Sequence, residues 1–316
     1  MTRSSWARPA VRIVGNAVGV LVGAATAAFL AQTALPGDRA TAILNIRAGQ
    51  AELRTPEELA PITAEFGLDR PLWQQYADYL LGLVRGDLGT SYLQFRPVGA
   101  IIGEQLGATV VLAITAIAIA WMLMVVWIVA TGGRGPRLTA LGSLVDVTTA
   151  ALPAYWLGII LLLVFALGLG WFPVLGDGTP LSLVLPALTL AIPLAGFLAQ
   201  ATRTEFERAL EQPFALSARM RGQSDLGVRL GHVLRHASLP AISLSGWALG
   251  ATLSGAVVVE SIFSRPGIGQ VLVSAVSSQD LPVVVGVVVL TAAFYVAANL
   301  LVDLASALVD PRQRAA

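Results

Sequence analysis

The chain has 316 residues, 56% of them hydrophobic and 12% charged, with a mean hydropathy of +0.75. A soluble globular domain carries about 25% charged residues, so this composition marks an integral membrane protein. The net charge of +1 argues against nucleic acid as a partner, and the lack of cysteine excludes disulfides, thiolate nucleophiles and thiolate metal sites.

Residues 11–35 form the first predicted span, preceded by Arg3, Arg8 and Arg12. The apolar run is longer than the 7–15 residues of a signal-peptide core, and no clean A-x-A site follows, so a membrane helix is preferred to a cleaved leader. Residues 36–107 are a polar insert, long enough for a small cap of helices and too short for an enzyme domain. Thr55-Pro56-Glu57-Glu58 reads as a capping box with proline at the first helical position, and Gly67 closes that helix. Leu72, Trp73, Tyr76, Tyr79, Leu80 and Leu83 then fall on one helical face, expected to bury itself in a scaffold. The alternative for this cap is guiding a docking protein.

Five further spans follow, at about 108–130, 144–167, 181–200, 239–259 and 283–302. Each has roughly twenty apolar residues, enough for a ~30 Å hydrocarbon core. Pro153, Pro186 and Pro193 lie inside them and imply kinks. Trp171-Phe172-Pro173 suits an interface, where amphipathic aromatics anchor. The short loop at 132–137 carries Arg134 and Arg137 and is expected in the cytoplasm. Six spans put both termini inside. Thirteen arginines are then cytoplasmic and seven external, six of those in the long insert, whose charge weighs little in topology.

The polar island at 202–238 stands out from its surroundings. It holds six arginines, Arg203, Arg208, Arg219, Arg221, Arg229 and Arg235, and both histidines. Such a segment between two spans sits in water, and its arginine excess places it in the cytoplasm. Residues 203–210 continue the preceding span, and Pro213 stops that helix. A second short helix covers 214–221 and ends at Gly222, where the chain must turn with positive φ. Ser224 then caps a third helix running to about His236, with Asp225 in its first turn. A rigid basic helix–turn–helix between spans suits docking onto a soluble protein better than lining a pore.

The run Phe214-Ala-Leu-Ser-Ala-Arg-Met-Arg-Gly222, with Leu234-Arg235-His236 and Pro240 following, resembles the EAA coupling loop of ABC importer permeases. It is most similar to the dipeptide/oligopeptide/nickel branch, whose version reads roughly Tyr-Val-x-Thr-Ala-Arg-Ala-Lys-Gly, then Leu-Arg-Asn-x-x-x-Pro. Here Phe214 replaces Tyr, Ser217 replaces Thr, Met220 replaces Ala, Arg221 replaces Lys and His236 replaces Asn. Four more stretches resemble the family's in order: Leu35-Pro36-Gly37-Asp38, residues 86–98 beginning Gly86-Asp87-Leu88-Gly89, the Glu260-x-x-Phe263-x-x-Pro266-Gly267-x-Gly269 segment, and Asp310-Pro311-Arg312.

The resemblance implies an all-α fold of six transmembrane helices. It has a cytoplasmic terminus at 1–10, a first span at 11–35, an extracytoplasmic helical insert at 36–107, a permease core at 108–310 and a cytoplasmic tail at 311–316. It implies ATPase coupling through Phe214, Ser217, Ala218, Arg219, Arg221, Gly222, Arg235 and Pro240. It also implies a second homologous permease, two ATPases holding ATP and Mg²⁺, an extracytoplasmic solute-binding protein and a bacterial plasma membrane. No cofactor or metal is expected in this chain. The solute would be a di- or oligopeptide, with nickel or a metal chelate as the alternative.

Other classes fit less well. Asp146, Glu260 and Asp303 lie near span ends, no ionisable residue is expected at mid-bilayer, and no phosphate-cradling GxxxxGK[ST] occurs. A proton-driven carrier is therefore disfavoured, and the energy must come from another chain; the rival of another class is a self-sufficient secondary carrier or channel, which would work alone and need no ATP. His232 and His236 are i, i+4 but lack a third metal ligand. Gly142-Ser143 lacks the intramembrane histidine that an intramembrane serine protease requires. Pro266-Gly267-Ile268-Gly269 reads as a tight exterior turn, since no strand–helix unit surrounds it.

Overall fold

A computed structural model of the chain describes residues 7–34, 37–176 and 178–309, with side-chain environments for 15–34, 37–176 and 178–300. Leu35-Pro36, Asp310-Pro311-Arg312 and the side chains of Arg3, Arg8, Arg12 and Asp303 lie outside this description. The described residues are mostly helical and contain no strand beyond an isolated bridge between Thr90 and Pro97. Among the described residues, five helices are long and apolar enough to cross a membrane, or six if one bent pair counts as a single span.

The chain divides into two compact units. The first comprises Met1–Ala108 and Gly267–Val296. Within it, α1 (Ala7–Thr33) is followed by three insert helices, α2 (Arg39–Ala48), α3 (Pro56–Phe66) and α4 (Leu72–Val84). Two of them begin where side chains cap the first turn. Asp38 caps α2 by accepting from Thr41 N at 2.8 Å. At α3, Glu58 reaches back to Thr55 N at 2.8 Å, and Gly67 closes the helix at φ 59°. Ala40, Ile43, Ile62 and Tyr92 form the small core that joins α2 and α3 to the chain at 92.

The stripe on α4 splits rather than burying as one face. Tyr76 and Tyr79 pack on Phe29 of α1, at ring separations of 5.2 and 5.6 Å. Leu72 and Trp73, one turn earlier, stay exposed. Burial pushes the Tyr79 phenol up to about 12.

The second predicted span starts earlier than its apolar centre suggests. Helix α5 covers Val98–Thr131, and Val98, Ile101 and Ile102 join a core with α13 (Ile268–Ser277) and α14 (Leu281–Val309). Asp280, buried just before α14, accepts from Tyr92 N at 3.0 Å and from the Ser91 hydroxyl. One carboxylate thus pins the 91–92 turn.

The second unit, Thr109–Pro266 with Ala297–Ala316, is organised around α8 (Pro180–Leu210). This helix packs on α6 (Pro136–Ala150), α7 (Ala154–Leu161), α11 (Leu234–Ala237) and α12 (Leu239–Ile262). The three prolines behave differently. At Pro153 the predicted third span is not one helix: α6 and α7 meet at 95°, and α7 continues as a π-helical stretch, Leu162–Gly168. Pro153 donates no N–H and disfavours a helical Leu152, and the turn around it is half exposed, so water or a partner can satisfy the freed carbonyls. Pro186 and Pro193, by contrast, lie within an unbroken α8 whose flanks are covered by four helices. Breaking it there would strand backbone groups in an apolar core.

Candidate functional site

The polar island grows directly out of α8, and its first charge is not solvated. Arg203 is buried, with Nε 2.5 Å from Asp146 Oδ2 on α6. Its Nη1 donates to Thr131 Oγ1 on α5 at 3.0 Å. Three helices are therefore tied by one guanidinium. Gly142 makes room for it, since a Cβ there would fall 2.6 Å from Arg203 Nη1. The Gly142-Ser143 pair is thus a packing feature, and Ser143 faces outward.

Pro213 occupies the first turn of α9 (Pro213–Met220), where its missing N–H costs nothing. Ala215 and Ala218 turn inward and are buried, with Phe214 half-buried beside them. Leu216, Ser217, Arg219 and Met220 face out, and Met220 is 82% exposed. Gly222 adopts φ +82°, the left-handed conformation that reverses the chain, and Gln223 N returns to Ala218 O at 3.2 Å. Ser224 Oγ then accepts from Gly227 N, capping α10 (Asp225–Val228).

Asp225 is the hub of the loop. Its carboxylate lies 2.7 Å from Arg229 Nε, 3.5 Å from Arg134 and 3.6 Å from Arg219. Arg229, itself buried, donates to Gly132 O at 2.6 Å and to Val129 O at 3.3 Å. It thereby satisfies carbonyls left orphaned at the C-terminus of α5, where a cation also suits the helix dipole. Its guanidinium sits 5.9 Å from the Phe206 ring centroid. The third helix is not regular: α10 passes into a π-helical stretch, Arg229–Val233, before α11. His232 pairs with Gln223 at 2.9 Å, and the His236 ring packs tilted against Phe214, with centroids 4.7 Å apart. Among the described residues no group of three His, Cys, Asp or Glu side chains could hold a metal ion.

Of the eight residues singled out from sequence, the fold brings Phe214 and Ala218 against the core. It leaves Ser217, Arg219, Arg221 and Gly222 on the outer side of one turn. Arg235 is exposed on α11, and Pro240 opens α12, half-buried. Asp225 and Arg229 were not singled out. Their i, i+4 spacing is visible in the sequence, but the carbonyls that Arg229 caps are 97 and 100 positions away. Leu216, Met220, Leu226 and Leu230 are also exposed, giving an apolar surface interleaved with arginines. Such a surface suits protein docking.

The Glu260 motif folds on itself. Glu260 is fully buried and accepts from Thr109 Oγ1 at 2.6 Å, while Arg265 N returns to Glu260 O at 2.9 Å. Phe263 is buried in the core beside α7.

Two family models match. The binding-protein-dependent transport system inner membrane component covers residues 124–315, and the N-terminal membrane component of the same systems covers 8–113. The chain belongs to this family: it is an ABC importer permease, a multi-pass bacterial inner membrane protein whose transport system includes ATPases and a binding protein. It is 35% identical over 310 residues to a protein of Brucella abortus named as a peptide transport system permease, covering 95% of this chain and 97% of that one. It is 34% identical over 304 residues to a glutathione transport system permease protein of Salmonella typhimurium, covering 96% and 97%.

Proposed function

We propose that this chain translocates short peptides delivered by an extracytoplasmic solute-binding protein, beside a second, homologous permease and above two ATPases. The bent α6–α7 pair counts as one of six spans, the 36–107 insert faces outside, and both termini face the cytoplasm. ATP and Mg²⁺ are held by the ATPases. The names of the relatives from Brucella and Salmonella, both peptide or glutathione permeases, support the solute class.

The observation that carries the coupling role is the fastening of the 202–238 loop. Arg203 ties it to α5 and α6, and Arg229 ties it to the end of α5. The outer side of α9 meanwhile presents Leu216, Met220 and Arg221 without internal partners among the described residues. Movement of an ATPase against α9 is then transmitted to membrane helices instead of being absorbed by a slack loop. Closure of the ATPases on ATP would push α9 and rock the spans from inward-facing to outward-facing.

The test is to tag the chain, extract it gently from native membranes and identify what co-purifies. The reading expects a second six-span permease and Walker-motif ATPases, and ATP-dependent peptide uptake by the reconstituted complex. A chain that purifies alone and moves solute without ATP would sink it.

A further inference from the structure

A cavity of about 350 Å³ lies within the first unit, between the insert helices, α1 and the start of α14. That is the lower end of the roughly 300–1,000 Å³ range of small-molecule sites. Its wall carries five charged side chains, and three are already committed. Glu65 is held by Arg47 at 2.8 Å, and Arg70 and Asp78 hold each other at 3.0 Å.

The other two are not committed to opposite charges. Arg39 has no carboxylate within 4 Å among the described residues, and its Nε is buried without a hydrogen-bond partner. Asp87 has no basic group within 4 Å among the described residues; its Oδ1 accepts from Gly89 N at 2.8 Å.

The cavity is also built rather than incidental. Gln75 accepts from Arg39 Nη1 at 3.2 Å and donates to Arg70 O at 2.8 Å, which fixes the guanidinium against one wall. The cavity therefore presents one guanidinium and one carboxylate in a single concave site, neither of them paired with an opposite charge among the described residues.

We propose that this cavity binds a free, zwitterionic short peptide, with its carboxylate on Arg39 and its amino group on Asp87. This rests on the peptide reading above and adds to it a solute-binding site outside the permease core. The volume suits a dipeptide better than a long peptide.

The test uses the intact importer in lipid nanodiscs without its binding protein, and dialanine, N-acetyl-dialanine and dialanine amide as probes in equilibrium dialysis. Dialanine is expected to bind, and each cap to weaken binding about tenfold or more, the loss of one charged contact. Arg39→Ala should abolish only the preference for the free carboxylate, and Arg39→Lys should keep part of it. Asp87→Asn, which retains the acceptor for Gly89 N, should abolish only the preference for the free amine. Equal binding of all three probes, or variants that leave both preferences intact, would overturn the inference. If the complete importer takes up dialanine with ATP while the cavity does not discriminate, this inference alone falls. Absence of any peptide uptake overturns the substrate reading with it.

Discussion

Two exposed ion pairs of the insert and two buried arginines of the 202–238 loop show arginine used in two ways. In the insert, Arg70 meets Asp78 with the side chains 57% and 58% exposed, and the Arg96–Glu104 pair is 45% and 54% exposed. In the 202–238 loop, Arg203 and Asp146 are 7% and 1% exposed, and Arg229 is 4% exposed. Exposed pairs exchange hydration for a screened attraction of similar size, so they orient surfaces without holding them. Buried ones have given up their water and depend on their partners. The insert is assembled by caps and small apolar cores, whereas the loop is bolted to its helices by buried guanidinium groups. A segment that must transmit force needs the second kind of attachment.

The contrast can be broken most directly at Arg203. Arg203→Met strands the Asp146 carboxylate and should cost about 3–5 kcal/mol, read as a large fall in the thermal midpoint of the purified chain. Adding Asp146→Leu should restore most of that loss; if the double variant is no better than the single, the pair is not what holds α6 to α8. Arg229→Ala removes charged hydrogen bonds to Gly132 O and Val129 O, worth roughly 1.5–3 kcal/mol in total or more. It should lower transport and ATPase stimulation together while membrane insertion survives.

Gly222→Val should have a similar functional signature at a smaller energetic cost. Nothing lies within 4 Å of a Cβ there, so the penalty is the left-handed backbone alone, roughly 1–2 kcal/mol. Normal transport by this variant would show that α9 is not the coupling helix.

The insert should respond more weakly and to a different variable. Thr55 N and the Thr55 hydroxyl hold Glu58 below its ordinary 4.5, and Arg47 holds Glu65 below the same value. Groups with depressed folded values stabilise above the unfolded value and lose that contribution as pH falls through the folded one. The thermal midpoint should therefore drop as pH is lowered from about 5 towards about 3, and Glu65→Gln should flatten part of that drop. Smallest of all, Arg96→Ala should change stability by about 1 kcal/mol or less, measured in the same assay.

Much of this was legible in one dimension. The apolar lengths of the spans, the capping box at Thr55, the stop at Pro213, the turn at Gly222 and the cap at Ser224 are local events, decided by dihedral preferences and hydrogen bonds within a few residues. The order of motifs that places the chain in its family is legible for the same reason.

What the residues could not announce is which neighbours each would meet. Arg203 looks like one of six loop cations until α6 brings Asp146 beneath it. Pro153 and Pro193 are the same residue in similar apolar runs, yet only Pro153 breaks its helix, because four packed helices enclose α8 and the 151–153 turn lies half open. The α4 stripe has a single periodicity, but only its Tyr76 and Tyr79 turns find Phe29. Periodicity states which side chains share a face. Whether that face is covered, and by which charge or ring, is settled by packing between segments far apart in the chain.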